Sequence, residues 1–449
     1  MPSTDREFKW SGALTRREFL YASGIATSTA LLPTVNAAEE LPGAKRPKVA
    51  AIFDVMRHRS HANVILENFL LPYYFNGKRI KPEVDVVSFY ADQTPKVEMA
   101  RAVSQEFQIP IYPTIKDALC LGGKALAVDA VLSIAEGGDY PTNELGQKEY
   151  PRKRFFDEIV AVMRQSGRFV PLFSDKHLSY RWDWAKEMFE TTQRLKIPFM
   201  AGSSLPLAER RSPLEIPFGT KIAEAVSVHG GSPEVYDIHA LEVLQSIVEA
   251  RGTGESGVSR VEFLRGDALW KAADEGRWSR SLAESAMKAE LGDRPQPLGP
   301  VAGEDTVEPH GLLILYKDGL KATVLKLGLS NARWNFACRI QGTNEIKATR
   351  FFVGPWRNRY LFKAFSHAIQ QHFIQGVAPY PVERTLLTTG ILDAAMRSRR
   401  QGIPLATPEL EFAYQPRDFR KFREMGETWR VVPADLPEPC NLLDRSGVP

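Results

Sequence analysis

Lys48-Val-Ala-Ala-Ile-Phe53, then Asp54-Val-Met-Arg-His-Arg-Ser-His61, then Ala62-Asn-Val-Ile-Leu-Glu-Asn-Phe-Leu70 read as a short apolar strand, a polar turn and a helix, with Ser60 placed to cap the helix. The alternation continues down the chain. Strand-like runs at 84–89, 129–135, 169–173 and 198–202 are interleaved with helical stretches at 97–107, 155–163 and 182–195, the first of them striped by Val97, Ala100, Val103 and Phe107. Strands apolar on both faces cannot lie at a wet surface, so they belong to a parallel sheet covered on both sides by helices. Residues 45–203 are therefore expected to form a Rossmann-like, doubly wound α/β domain with a parallel sheet.

From Ser203 the pattern changes. A helix is expected over 232–251, with Pro233 at its first position, followed by strand-like runs at 258–264, 311–316, 322–327 and 336–341. Lys317-Asp-Gly-Leu320 between two of these is a hairpin signal, and helices at 361–373 and 383–399 close the domain, the second stopped by Gly402. Residues 204–420 thus read as an α+β substrate and oligomerisation domain with a largely antiparallel open sheet. Residues 293–309, rich in Pro, Gly and acid, read as a surface loop, and the chain beyond Tyr414 as a loosely attached extension ending in a tail at 421–449.

The start of the chain follows a different logic. Thr15-Arg-Arg-Glu-Phe-Leu20, a mild apolar run to Leu32 and Asn36-Ala-Ala38 have the order charged, apolar, small-residue cleavage site, and resemble a twin-arginine export signal over residues 1–38. The expectation is a periplasmic or extracellular protein that meets the export machinery and is not inserted in the membrane once the signal is removed. The full chain of 449 residues carries 58 basic and 54 acidic side chains, a net charge of +4, which gives no reason to expect a nucleic-acid groove. Cys120, Cys338 and Cys440 are too few and too scattered for a disulfide scaffold or a cysteine zinc site.

Several segments in the right order resemble the Gfo/Idh/MocA family, that of glucose-fructose oxidoreductase and inositol dehydrogenase. They are residues 100–110 with Tyr112 and Ile115-Lys-Asp-Ala-Leu119; Asp129-Ala-Val-Leu132; Phe173-Ser-Asp-Lys-His-Leu-Ser179; and Pro379-Tyr-Pro-Val-Glu-Arg384 through Asp393-Ala-Ala-Met-Arg-Ser398 to Gly402. The likeness runs from about Lys48 to Tyr414. It implies an oxidoreductase acting on a sugar or sugar derivative with NAD or NADP as cofactor, and association of copies through the exposed face of the C-terminal sheet. Lys176 matches the family's lysine, a polarising donor or proton relay, with Asp175 standing for its glutamate and His177 for its proline. His239 matches the histidine that exchanges a proton with the substrate hydroxyl, but four residues before it stands Val235 where the family has Asp; Asp237 and Glu242 are the nearest carboxylates.

The chemistry departs from the family at the first turn. Family members that bind a nicotinamide cofactor use a glycine-rich turn, so that backbone can approach the pyrophosphate; residues 54–62 contain no glycine. Arg57, His58, Arg59 and His61 stand there instead, near a positive helix end, able to hold an anion or simply to be solvated. Asp92 falls near the family's ribose-binding acid, although Asp after a strand is also a common helix cap. After the strand at 129–135 comes a polar loop in which Glu136, Asp139, Tyr140 and Glu144 could contact a polyhydroxylated ligand or act as acid and base, with Gly137-Gly138 allowing a tight turn. His239, Glu242, Ser246 and Glu249 form one polar helix face, readable as the solvent side. Trp182, Trp184, Trp270, Trp278 and Trp334 offer faces for sugar rings or for core packing. Three readings compete: a sugar oxidoreductase; a carbohydrate-directed hydrolase or lyase without hydride transfer, using Glu136, Asp139, His177 and His239; and a non-catalytic binding protein. The spacing of His58, His61, His177 and His239 does not support a metal site.

Overall fold

In the computed structural model, residues 46–442 are described apart from 295–297, 299–307, 344, 357, 434 and 439–441. The export-signal reading (1–38), most of the 293–309 loop and Cys440 lie outside the described residues. The first domain carries β1 (Lys48–Phe53), α1 (His61–Leu70), a small hairpin of β2 (Tyr73–Phe75) and β3 (Lys78–Ile80), β4 (Asp85–Ala91), α2 (Ala100–Phe107), α3 (Ile115–Cys120), β5 (Ala130–Ile134), α4 (Arg152–Ser166), β6 (Leu172–Asp175), α5 (Trp182–Leu195) and β7 (Phe199–Gly202). Its sheet is parallel throughout, in the order β4-β1-β5-β6-β7. Along β1, Val49, Ala51 and Phe53 join one apolar cluster while Ala50 and Ile52 join another, which is the two-residue alternation of a strand buried on both faces. Ser60 caps α1, its hydroxyl accepting from Asn63 N at 3.4 Å. Helix α2 starts at Ala100, later than its apolar stripe suggests, and Val97 is left 83% exposed.

The second domain continues with β8 (Glu209–Arg211), β9 (Ile222–His229), α6 (Asp237–Val248), β10 (Val258–Arg265), α7 (Gly266–Asp274), α8 (Arg280–Leu291), β11 (His310–Tyr316), β12 (Lys321–Lys326), β13 (Trp334–Ile340), β14 (Ile346–Phe352), α9 (Asn358–Gln375), α10 (Glu383–Gln401), β15 (Leu405–Ala406) and α11 (Thr428–Val431). Its eight strands run β15-β10-β11-β12-β9-β13-β14-β8, and every pair is antiparallel except β12 with β9. The expected fold class therefore stands, and the hairpin at Lys317 to Leu320 joins β11 to β12. Helix α9 returns to the first domain, where Phe365 meets Phe173 edge to face at 5.3 Å.

Four expectations are corrected. The helix expected from Ser232 begins at Asp237, because Glu234 adopts φ +63° and the chain turns tightly before it. Gly231 is required there: a Cβ would meet the Tyr236 ring at 2.0 Å. The polar face of α6 is not solvated, since Glu242, Glu249, Ser246 and His239 are all buried. The face of the second sheet that was expected to be exposed is covered by α7 and α8: Leu269, Leu282 and Met287 of these helices, with Trp278 between them, join one cluster with Val226, Val228 and Leu325. The extension beyond Tyr414 is not loose: Phe419, Phe422 and Val432 are buried, and Trp356 Nε1 donates to the Leu436 carbonyl at 2.7 Å.

Candidate active site

Side chains from the C-terminal ends of β5, β6 and β7 meet the start of α6 around a cavity of about 410 Å³, where a doubly wound sheet places its ligands. Its chemistry begins with a carboxylate held by two cations. Glu136, two residues past β5, accepts from Lys176 Nζ at 2.5 Å and from Arg152 Nη2 at 3.1 Å. Burial alone would raise the Glu136 pKa, but Lys176, His61 and Arg152 bring it down to about 2, so the carboxylate stays ionised. Lys176 follows β6 with φ +60°, a conformation uncommon for a residue with a side chain, and its N–H donates to the Gly202 carbonyl at 3.1 Å. Lys176 is 3% exposed and lines the cavity.

Two histidines face the same space. His239, on the first turn of α6, has Nδ1 hydrogen-bonded to Ser203 Oγ at 2.7 Å, which leaves Nε2 for the cavity. Burial, together with the Lys176 and His61 charges, pushes its pKa well below the ordinary histidine value, so the ring is a neutral proton acceptor. His61, at the first position of α1, donates Nδ1–H to Asp175 Oδ2 at 2.6 Å, and its ring packs edge-on against Phe362 at 4.7 Å. Tyr236 and Trp334 stack at 5.6 Å with planes 3° apart and both line the cavity, giving it an aromatic wall suited to a sugar ring.

Behind these groups lies a second layer. Arg152 Nη1 donates to His177 Nε2 at 3.2 Å, which keeps that ring neutral; burial and the Arg152 charge lower its pKa well below normal. Glu234 Oε1 is 3.4 Å from the same nitrogen, and burial raises its pKa to about 7 against the pull of Arg152 and Lys176. Asp237 accepts from His229 Nε2 at 2.9 Å, His310 Nε2 at 2.8 Å and the Glu234 N–H at 2.8 Å, with all three side chains buried. Despite burial, those two histidines hold Asp237 well below the usual carboxylate range. This trio is the one metal-like grouping among the described residues. Its hydrogen bonds favour a metal-free reading: His229 Nδ1 accepts the Gly231 N–H, so its proton sits on Nε2, the atom a metal would need.

Of the residues singled out from sequence, Lys176, His239 and Glu136 line the cavity, and Asp175 and His177 stand directly behind it. Asp237 is buried beneath the site and does not line it. Arg57 and His58 are exposed and do not line it; it is Arg59, Ser60 and His61 from that turn that reach the cavity. Asp139 and Glu144 are exposed on the loop. Asp92 and Tyr140 are bonded to each other, Tyr140 OH to Asp92 Oδ2 at 2.7 Å, away from the cavity. Trp270 and Trp278 are core. Arg152, Glu234, Ser203, Tyr236 and the His229–His310 pair carried no local signal. Only the polar character of the 135–152 loop hinted at Arg152.

No family model and no curated protein matches the chain. Among solved structures it is similar to GenD2 from gentamicin A biosynthesis in complex with NAD, with a TM-score of 0.52 and 11% identity over 84% of this chain and 99% of that one. It is also similar to apo scyllo-inositol dehydrogenase from Lactobacillus casei, with a TM-score of 0.50 and 9% identity over 81% of this chain and 98% of that one. The fold is thus the two-domain α/β fold of Gfo/Idh/MocA-type dehydrogenases.

The residues at the first turn do not fit a dinucleotide bound in the usual way. Asp54 fills the turn with a buried carboxylate that accepts from Val55 N at 2.7 Å and Gly138 N at 2.9 Å. Asp92, where a ribose acid would stand, already accepts from Tyr90 OH, Tyr140 OH and Arg154. Arg59, at the helix end that would receive the pyrophosphate, is paired with the carboxylate of Glu438.

Proposed function

We propose that the chain is an exported enzyme performing proton-transfer chemistry on a sugar or sugar derivative, an elimination of the lyase type, on an oxidoreductase fold. The observation that carries this reading is one neutral base and one cation at the same cavity: His239 Nε2 and the Lys176 ammonium. In that arrangement His239 Nε2 accepts a proton from a carbon next to a carbonyl while Lys176 hydrogen-bonds the oxygen of the enolate that forms; the carbonyl then re-forms, the carbon–oxygen bond one carbon further on breaks to leave a double bond, and the His239 imidazolium returns the proton to the departing oxygen. Glu136 and Arg152 fix the ammonium, Asp175 orients His61, and the Tyr236–Trp334 wall holds the ring face. Export rests on the Arg16-Arg17 leader; replacing both arginines by lysine should retain the protein in the cytoplasm, as fractionation reads it.

A second reading, a sugar oxidoreductase using NAD or NADP, draws on the likeness to GenD2. One experiment separates the two. Purified protein is titrated with NADH and NADPH by fluorescence and screened against oxidised and unsaturated-precursor glycans with no cofactor added. Turnover without nicotinamide and a flat titration support the lyase reading; saturable cofactor binding with cofactor-dependent turnover replaces it by the oxidoreductase.

A further inference from the structure

A second cavity, of about 320 Å³, lies between the loop after β8, the C-terminal half of α6 and the segment around Phe419. It shares no lining residue with the first, although α6 reaches both: His239 lines one, and Ser246 and the C-capping Glu249 line the other, about 10 and 15 Å further along the helix axis. Four arginines line it, namely Arg210, Arg417, Arg420 and Arg423, and Arg384 stands behind Glu249. Three of these five have a carboxylate of their own. Arg384 is bidentate to Glu249, Arg420 to Asp418, and Arg423 pairs with both oxygens of Glu215.

Two positive charges are left over. Arg210, 8% exposed, donates Nη1 to the Leu214 carbonyl at 2.9 Å and reaches only the already shared Glu215, at 3.8 Å. Arg417 is exposed, donates to the Ala378 carbonyl at 3.2 Å and has no carboxylate partner among the described residues. The Nε atoms of Arg210 and Arg423 and Nη1 of Arg384 are buried without a partner, which costs stability unless something else accepts from the cluster. Burial and the neighbouring Arg423 charge push Arg210 down to about 9, against the opposing pull of Glu215. The remaining wall is apolar, with Ile216, Pro217 and Ile247, and Phe218 stands 54% exposed at its edge.

We infer that this cavity binds a small dianionic ligand, a carbon skeleton bearing a phosphate monoester or two carboxylates, seated on Arg210 and Arg423 with Arg417 closing over it. The surplus of two charges sets the ligand's charge, the guanidinium forks suit oxyanions, and the volume, about that of ten waters, limits its size. The inference does not depend on the chemistry of the first cavity. The test is a calorimetric titration of the full chain with glucose 6-phosphate, inorganic phosphate and malonate, at constant ionic strength kept with chloride. Saturable binding of a phosphate or of malonate is expected and identifies which oxyanion the site takes. Arg210→Gln and Arg417→Ala should each weaken it about tenfold, while Lys176→Met, in the other cavity, should leave it unchanged. Arg417 is exposed, so its variant keeps the fold and decides the outcome if Arg210→Gln unfolds. No saturable binding by any of the three up to about 10 mM, or binding that Arg417→Ala leaves intact and Lys176→Met abolishes, would overturn the inference.

Discussion

The two halves of one sheet edge differ in how their polar groups are spent. After β1 and β4, where a dinucleotide would lie, Asp54 is satisfied by Val55 and Gly138, Asp92 by Tyr90, Arg154 and Tyr140 of the loop after β5, and Arg59 by Glu438. After β5 and β6, Glu136 and Lys176, joined by His239 of α6 and His61 of α1, are also paired, yet they surround open space with an aromatic wall. The same fold can therefore close its cofactor half with side-chain hydrogen bonds while keeping its substrate half open. Fold likeness speaks to the shape of both halves and to the chemistry of neither.

The largest effect expected from breaking this contrast is at Lys176. Lys176→Met should cut turnover on whichever glycan the screen identifies by about 10³-fold while the circular dichroism spectrum is unchanged; unchanged turnover or binding would leave the site a binding pocket only. His239→Gln should cost about 10²-fold. Because burial and the Lys176 and His61 charges keep His239 deprotonated, the wild-type rate should not fall as pH drops through 6.5, and a midpoint there would remove His239 from the base role. Next is Asp237→Asn. It removes the negative charge facing two buried imidazoles and turns one of its two acceptor oxygens into an amide donor set against N–H groups, and should destabilise the fold by about 3–4 kcal/mol in urea, with the midpoint shifted and the slope kept.

Glu234→Gln acts in the opposite direction. Its folded pKa of about 7 lies above the ordinary 4.5, so protonated Glu234 stabilises the fold fully below 4.5, and that contribution is lost as pH rises through 7. The glutamine variant should therefore be more stable than wild type at pH 8, by about 2 kcal/mol, and show little gain at pH 4. The smallest effect is at the closed half: Glu438→Gln should change stability by no more than about 1 kcal/mol, since the Arg59 pair is partly solvated. If the same variant gained saturable NADH binding, Glu438 alone would be what closes the cofactor half, and the roles given to Asp54 and Tyr140 would fall.

Most of the first domain was legible because a strand buried on both faces must be apolar throughout and a helix must show its stripe and cap: Lys48–Phe53 and Trp182–Leu195 have the boundaries their residues suggest. Strand β9 was not. Its Ile-Ala-Glu-Ala-Val-Ser-Val-His mixes polar residues into a central position of the second sheet, and its partners come from far along the chain. At the site, Lys176, His239 and Glu136 could be picked out by their place after predicted strands or in a helix and by resemblance. Arg57, His58, Asp92, Asp139 and Tyr140 were picked out by the same reasoning, and the structure places them outside the cavity.

The sequence by itself determined the main alternation of strands and helices in the first domain, the absence of glycine from the first turn and the presence of a lysine after β6, because these depend on local pattern and composition. Only the tertiary structure decided which polar groups find partners. Hydrogen bonds such as Glu136 to Lys176, Asp237 to His310 and Arg59 to Glu438 join residues 40, 73 and 379 positions apart. Whether a charged side chain is spent or free for chemistry depends on what folding brings beside it, and no spacing along the chain encodes that.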